Sequence, residues 1–212
     1  MNAQELAKQV NETIADWSQS HSKLVVAVDG YTGIGKTTLL NALVALNPDI
    51  LPVNRDDFLF SQKIMEEKFT KVTDKSEVFE REACDDQKLI NLVSAFRNGE
   101  NSLAVKVYDG VSGKIDEDKT FDLSKKVMVA EGVFMFHPEL PLNKLWDKRI
   151  YLKGDISKID ERRIKREKER WGKDYFPETR PDSYFRQVTI ALKRYAEMYK
   201  PEEMADLVLE VD

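Results

Sequence analysis

Apolar positions divide this chain into short continuous blocks and longer helical stripes. Leu24 to Asp29 (LVVAVD) is apolar at every position but the last and stops at Gly30, the mark of a parallel strand buried on both faces. Ile50 to Asn54 (ILPVN) and Lys126 to Glu131 (KVMVAE) read as further strands, with Arg149 to Leu152 and Leu207 to Val211 as shorter ones. Leu6, Val10, Ile14 and Trp17 recur at helical spacing within Asn2 to Ser20, so an amphipathic helix precedes the first strand and covers the core. Thr38, Leu39, Leu40, Ala42 and Leu43 mark a second helix, which Asn47-Pro48 breaks. Ser61 to Ser76 is charge-rich and reads as a helix plus a mobile loop. Asp85 to Asn98 puts Leu89, Leu92, Val93 and Phe96 on one helix face, with Gly99 just past its end. Ile156 to Arg170 is a highly charged helix. Asp182 to Lys200 is a helix whose stripe Tyr184, Val188, Leu192, Tyr195 and Tyr199 is expected to pack on the core. Ser102 to Tyr108 and Lys114 to Leu123, joined through Gly110 and Gly113, read as a β-hairpin inserted into the series. Strands alternating with helices predict an α/β domain around a parallel sheet.

Composition narrows the function classes. The net charge of −5 gives no electrostatic support to a nucleic acid or an anionic membrane as partner. No apolar run approaches a membrane span, and MNAQELAKQV lacks the apolar core of a signal peptide. Cys84 is the single cysteine, which excludes an internal disulfide and suits the cytoplasm. His21 and His137 stand far apart, so no zinc cluster is expected.

The strongest chemical signal follows the first strand. Gly30, Gly35, Lys36 and Thr37 satisfy G-x-x-x-x-G-K-[ST], a phosphate-binding loop. Its backbone N–H groups converge on an anion at the start of the next helix, where the dipole also favours negative charge. Gly30, Tyr31, Thr32, Gly33, Ile34, Gly35, Lys36, Thr37 and Thr38 are therefore the expected nucleotide-binding residues. Lys36 is expected to reach the β- and γ-phosphates, and the Thr37 hydroxyl to ligate Mg²⁺.

Two acidic features stand at strand ends, the side of a parallel sheet that faces a ligand crevice. Arg55-Asp56-Asp57-Phe58 follows the second strand. A carboxylate there suits proton acceptance from a hydroxyl, or Mg²⁺ through water, or simply a helix cap. Glu131 ends KVMVAE, as an acid that holds Mg²⁺ through water does. Arg162, Arg163, Arg166 and Arg170 crowd one helix. They suit a transferring phosphoryl group, or equally a solvated face with pairs such as Glu161–Lys165 and Arg163–Glu167.

In this order the pieces resemble the uridine kinase-like branch of P-loop kinases, from Val25 to about Asp206. The matching segments are DGYTGIGKTT, Asp56-Asp57-Phe58, Ala83-Cys84-Asp85, Val107-Tyr108-Asp109, Val129-Ala130-Glu131-Gly132, Arg162 to Arg166, Tyr199-Lys200-Pro201 and Ala205-Asp206. The resemblance implies one three-layer P-loop domain over residues 1–212. It would have a central parallel sheet, a hairpin insertion at 102–123 and an arginine-rich lid at 156–180. It implies ATP and Mg²⁺ as cofactors and a nucleoside or riboside as acceptor, phosphorylated on a primary hydroxyl. Asp56 becomes the catalytic base and a metal neighbour, with Lys36 and Arg166 also catalytic. Thr37 and Glu131 become metal-associated, and Arg162, Arg163 and Arg170 join the nucleotide contacts. Asp56, Phe58, Asp85, Tyr108 and Arg166 become acceptor contacts. Three positions depart from the pattern: Gly113 stands where the pyrimidine kinases carry His, Cys84 where an aromatic is usual, and Glu167 where the lid has Asp. A homo-oligomer is compatible with all of this. The rival reading is a nucleotide-driven switch, whose guanine motif Asn143-Lys144-Leu145-Trp146-Asp147 misses by one residue.

Overall fold

In the computed structural model, residues 3–211 are described; Asn2, which opens the first helical pattern, lies outside the described residues. Five strands form one parallel sheet: β1 (Leu24–Gly30), β2 (Ile50–Asn54), β5 (Val127–Glu131), β6 (Lys148–Gly154) and β7 (Leu207–Val211). Their order is β2-β5-β1-β6-β7, so β1 and β5, the two continuous apolar blocks, are central and buried at every residue. Each fully buried Val or Leu in them contributes about 1.5–3 kcal/mol relative to exposure. The path runs outward from β1 to β2, then back through β5 across β1 to β6 and β7. Right-handed crossovers therefore place helices on both sheet faces.

α1 (Ala3–Ser18) packs on α2 (Lys36–Leu46) through Leu6, Val10 and Ile14, and Asn47 Nδ2 donates to Asn11 Oδ1 at 3.0 Å. The register pairs Glu131 with both Val28 and Asn54, which levels the carboxyl ends of β1, β5 and β2. That alignment, more than any single contact, makes the site.

The segment expected to be a helix plus mobile loop forms α3 (Gln62–Phe69), capped by Ser61, followed by a non-helical stretch, after which α4 (Lys75–Arg81), capped by Asp74, begins. α4 is ordered by polar burial: Glu80, 1% exposed, accepts from Arg194 of α7 (Tyr184–Tyr199) at 2.6 Å and meets His137 at 3.0 Å. α5 (Asp86–Arg97) follows the expected pattern. The hairpin is a separate antiparallel pair, β3 (Ser102–Asp109) and β4 (Lys114–Asp122). It is anchored by Val107 and Phe121, the latter stacked on Phe58 with centroids 6.2 Å apart. α6 (Ile156–Trp171) carries the arginine-rich stretch. No helix among the described residues is long and apolar enough to cross a membrane.

Candidate active site

The loop between β1 and α2 uses glycine where a side chain cannot go. Gly35 caps α2 at φ 112°, and a Cβ on Gly33 (φ +81°) would lie 2.6 Å from Arg163 Cγ. Lys36 is buried, and its Nζ donates to the Gly30 and Tyr31 carbonyls at 2.8 and 3.1 Å. Burial pulls the Lys36 amine below its ordinary value, against the pull of Glu131, Asp29 and Asp56. Thr37 Oγ1 donates to Glu131 Oε1 at 2.6 Å. Burial pushes the Glu131 carboxyl up, while Lys36 and the Thr37 hydrogen bond oppose it.

The two aspartates after β2 have different surroundings. Asn54 caps their 3-10 turn (Arg55–Phe58) by accepting from Asp56 N at 2.9 Å, so neither aspartate is needed as the cap. Asp57 accepts from Lys119 Nζ of the hairpin at 2.8 Å. Among the described residues no ion pair holds Asp56. Its side chain is open to a cavity of about 270 Å³ lined also by Lys36, Thr37, Glu131, Arg166 and Tyr184. Enclosure by the cleft pushes the Asp56 carboxyl up, and Lys36 and then Arg55 pull it back. The side chain itself stays exposed to the cavity.

The remaining expected residues divide. Thr32, Gly33, Gly35 and Thr38 line the cavity with Arg166. Gly30 closes the loop beneath them through its carbonyl, which Lys36 holds, and Ile34 and Tyr31 are buried under it. Arg163 turns inward: it pairs with Asp160 at 2.7 Å rather than Glu167, and its guanidinium lies 4.1 Å from the Phe185 ring centroid. Arg162 is exposed on the same helix, and Arg170 donates to Gly110 O of the hairpin tip at 3.4 Å. Phe58, 1% exposed, faces the core instead of a ligand. Asp85 occupies the N-cap position of α5 without making a side-chain cap bond, and Tyr108 is half-buried beside a bulge in β3. Gly113 serves the hairpin turn at φ +71°, where a Cβ would press on Gln62 Oε1 at 3.0 Å. Burial pushes the Cys84 thiol up to about 12, so it is unreactive.

Three residues escaped the sequence reading. Tyr184 leaves its helix stripe and stands 65% exposed at the cavity wall, edge-on to Phe79. Asp29 is buried under the loop and accepts from Gly30 N and the Tyr195 hydroxyl, both at 2.7 Å. An aspartate in an otherwise apolar strand was the available signal. Arg55, 4% exposed, gave no local signal at all.

Comparisons with known proteins agree with this geometry. Residues 25–210 match the profile of the Phosphoribulokinase / Uridine kinase family. A uridine kinase of Borrelia garinii subsp. bavariensis is 26% identical over 189 residues, covering 87% of this chain and 85% of the relative. A "Possible Uridine Kinase" from Bacillus stearothermophilus shares the fold with TM-score 0.72 at 19% identity, over 99% of this chain and 100% of that one. The D-glycerate 3-kinase of Cryptococcus neoformans also shares it, with TM-score 0.61 at 15% identity, over 90% and 86%. The chain is therefore a member of the Phosphoribulokinase / Uridine kinase family of P-loop kinases.

Proposed function

We propose that this chain is an ATP- and Mg²⁺-dependent kinase that phosphorylates a primary hydroxyl of a small polar metabolite, with a nucleoside or other riboside as the acceptor class. The observation that carries the reading is the convergence of Lys36, the Thr37–Glu131 pair and an unclamped Asp56 on one cavity. Asp56 accepts the proton of the acceptor hydroxyl as its oxygen bonds to the γ-phosphorus, the bond to the β-phosphate oxygen breaks, and ADP leaves. Lys36 exchanges the loop carbonyls for phosphate oxygens, and Arg166 meets charge on the transferring group.

The donor set suits magnesium. It is made of oxygens only, a hydroxyl at a helix start and a carboxylate at a strand end, and no group of three or more His, Cys, Asp or Glu among the described residues could hold a metal alone. Mg²⁺ is commonly held this way, by one or two protein oxygens together with substrate phosphates and water. When bound, it neutralises charge between the β- and γ-phosphates.

Asp85 supports a riboside, since its carboxylate is not spent on the cap and can accept from two hydroxyls of a diol. The switch reading loses its guanine residue: Asp147 is committed to Val25 N at 2.8 Å and Arg97 at 2.7 Å. An ADP-release screen over nucleosides, vitamins and sugars tests the proposal. No acceptor-dependent release would refute the kinase, and equal turnover of 2′-deoxy or diol-free acceptors would refute the riboside class.

A further inference from the structure

Arg55 lies outside every motif and is a buried cation near the site, 4% exposed. Its Nε and Nη2 reach Asp86 Oδ1 at 3.2 and 2.9 Å, Nη2 also reaches Oδ2 at 3.3 Å, and Nη1 donates to Val133 O at 2.7 Å. Its side chain lies across Gly132, where an added Cβ would come within 2.7 Å of Arg55 Cβ. The main chain around it is also laced to the segment before α5: Asp85 N donates to Phe58 O at 2.8 Å and Phe60 N to Ala83 O at 2.9 Å.

Each of these three segments carries one candidate site residue. Asp56 follows Arg55 directly, Asp85 precedes Asp86, and Glu131 precedes Gly132. A planar fork with donors in fixed directions can hold two partners at a set angle, which an ammonium cannot. If fold stability were the only need, a well-packed apolar pair would serve as well as this buried ion pair. We infer that Arg55 is a positioning residue, which locks the Asp56 turn, the Asp85 helix start and the Glu131 strand end into one rigid unit and so aligns the acceptor. This rests on the kinase reading above.

The test is the full chain carrying Arg55→Met with Asp86→Leu, which removes both charges together and leaves no buried ion behind, alongside Arg55→Lys. Amide exchange is read without any acceptor. The double variant should keep the wild-type exchange of β1 and α2, while residues 56–60, 84–88 and 132–135 exchange at least ~10-fold faster. With the acceptor found by screening, kcat/KM should fall roughly 10–100-fold through both kcat and acceptor KM. The KM for ATP should stay within about twofold. Arg55→Lys should fall between the two. Unchanged exchange in the three segments overturns the inference, and so does faster exchange with wild-type acceptor kinetics. A wild-type chain that turns over no acceptor fails the kinase reading instead, and the exchange result still decides whether Arg55 clamps the three segments.

Discussion

Replacing Asp56 by Asn tests the core of the site with almost no change in shape. The two neighbouring carboxylates make different demands. Asp57 is held by Lys119 in a pair whose side chains are 17% and 39% exposed, a setting in which an ion pair is worth about 0.2–1 kcal/mol. Asp56 has cavity in front of it and Lys36 and Arg55 near it, so its loss removes a proton acceptor rather than a brace. A general base contributes about 10²–10⁴-fold, or roughly 2.7–5.4 kcal/mol of barrier at about 1.36 kcal/mol per decade. Asp56→Asn should therefore lower kcat by that factor, with ATP affinity and melting temperature near wild type. Asp57→Asn should cost less than about tenfold in kcat. The pH profile gives a second reading. Because the Asp56 carboxyl is raised, kcat/KM should fall on the acid side through a value above the ordinary 3.8, and that limb should vanish in Asp56→Asn. ADP release against pH, with nucleotide titration in parallel, measures both. Equal losses in the two variants, or Asp56→Asn within about threefold of wild type, would refute the assignment.

Lys36→Ala and Thr37→Ala should each abolish turnover with Mg·ATP, because one removes the phosphate cation and the other the hydroxyl held by Glu131; full activity of either sinks the loop assignment. Arg166→Ala should lower kcat more than it weakens ATP binding, whereas Arg163→Ala should lower the melting temperature, costing about 1–3 kcal/mol for a buried hydrogen-bonded cation. Wild-type kcat in Arg166→Ala would return that residue to the solvated face. Glu80 sets an acid limit on stability. Burial raises its carboxyl, but hydrogen bonds from His137 and Arg194 outweigh that and leave it lowered. Its contribution is then fully present above the ordinary value near 4.5 and is lost as pH falls through the lower folded value. Denaturant melts from pH 6 to about 3 should show that loss, and Glu80→Gln should flatten it.

The nucleotide half of the site was legible because its determinants are local. The β1 block, the glycines and Lys36-Thr37 lie within one strand-loop-helix unit, and Glu131 joins them by the register that buried parallel strands demand. What stayed hidden depends on partners distant in sequence. α4, to which the sequence reading assigned no helix of its own, is organised by Glu80, which finds His137 57 positions away and Arg194 114 positions away. Arg163 was expected over the phosphoryl group or on a solvated face, because nothing local reveals that Gly33, 130 residues earlier, leaves room for its stem. Tyr184 fitted a core stripe by spacing, yet the first turn of α7 runs past the core to the cavity.

The proposed acceptor half has the opposite construction. Asp56, Asp85 and Tyr108 come from a 3-10 turn, a helix start and a hairpin strand; Arg55 and the Asp85–Phe58 backbone bond tie the turn to the helix start, and the Phe58–Phe121 stack ties it to the hairpin. No phosphate geometry constrains these positions, so substitutions there can change what is bound while the loop remains intact. Gly113 shows how such a position misleads when read alone. By resemblance it marked a missing histidine, but its positive φ and the Gln62 side chain beside it make it part of the hairpin turn. Gln62 N also donates to Gly113 O at 2.9 Å, so α3 is tied to the turn and Gln62 stands where the histidine's ring would have to go. Substitutions at Gln62 are therefore expected to alter acceptor selectivity, read as the ratio of kcat/KM between two acceptors, more cleanly than any at Gly113, and an unchanged ratio would show that the hairpin–α3 contact does not border the acceptor.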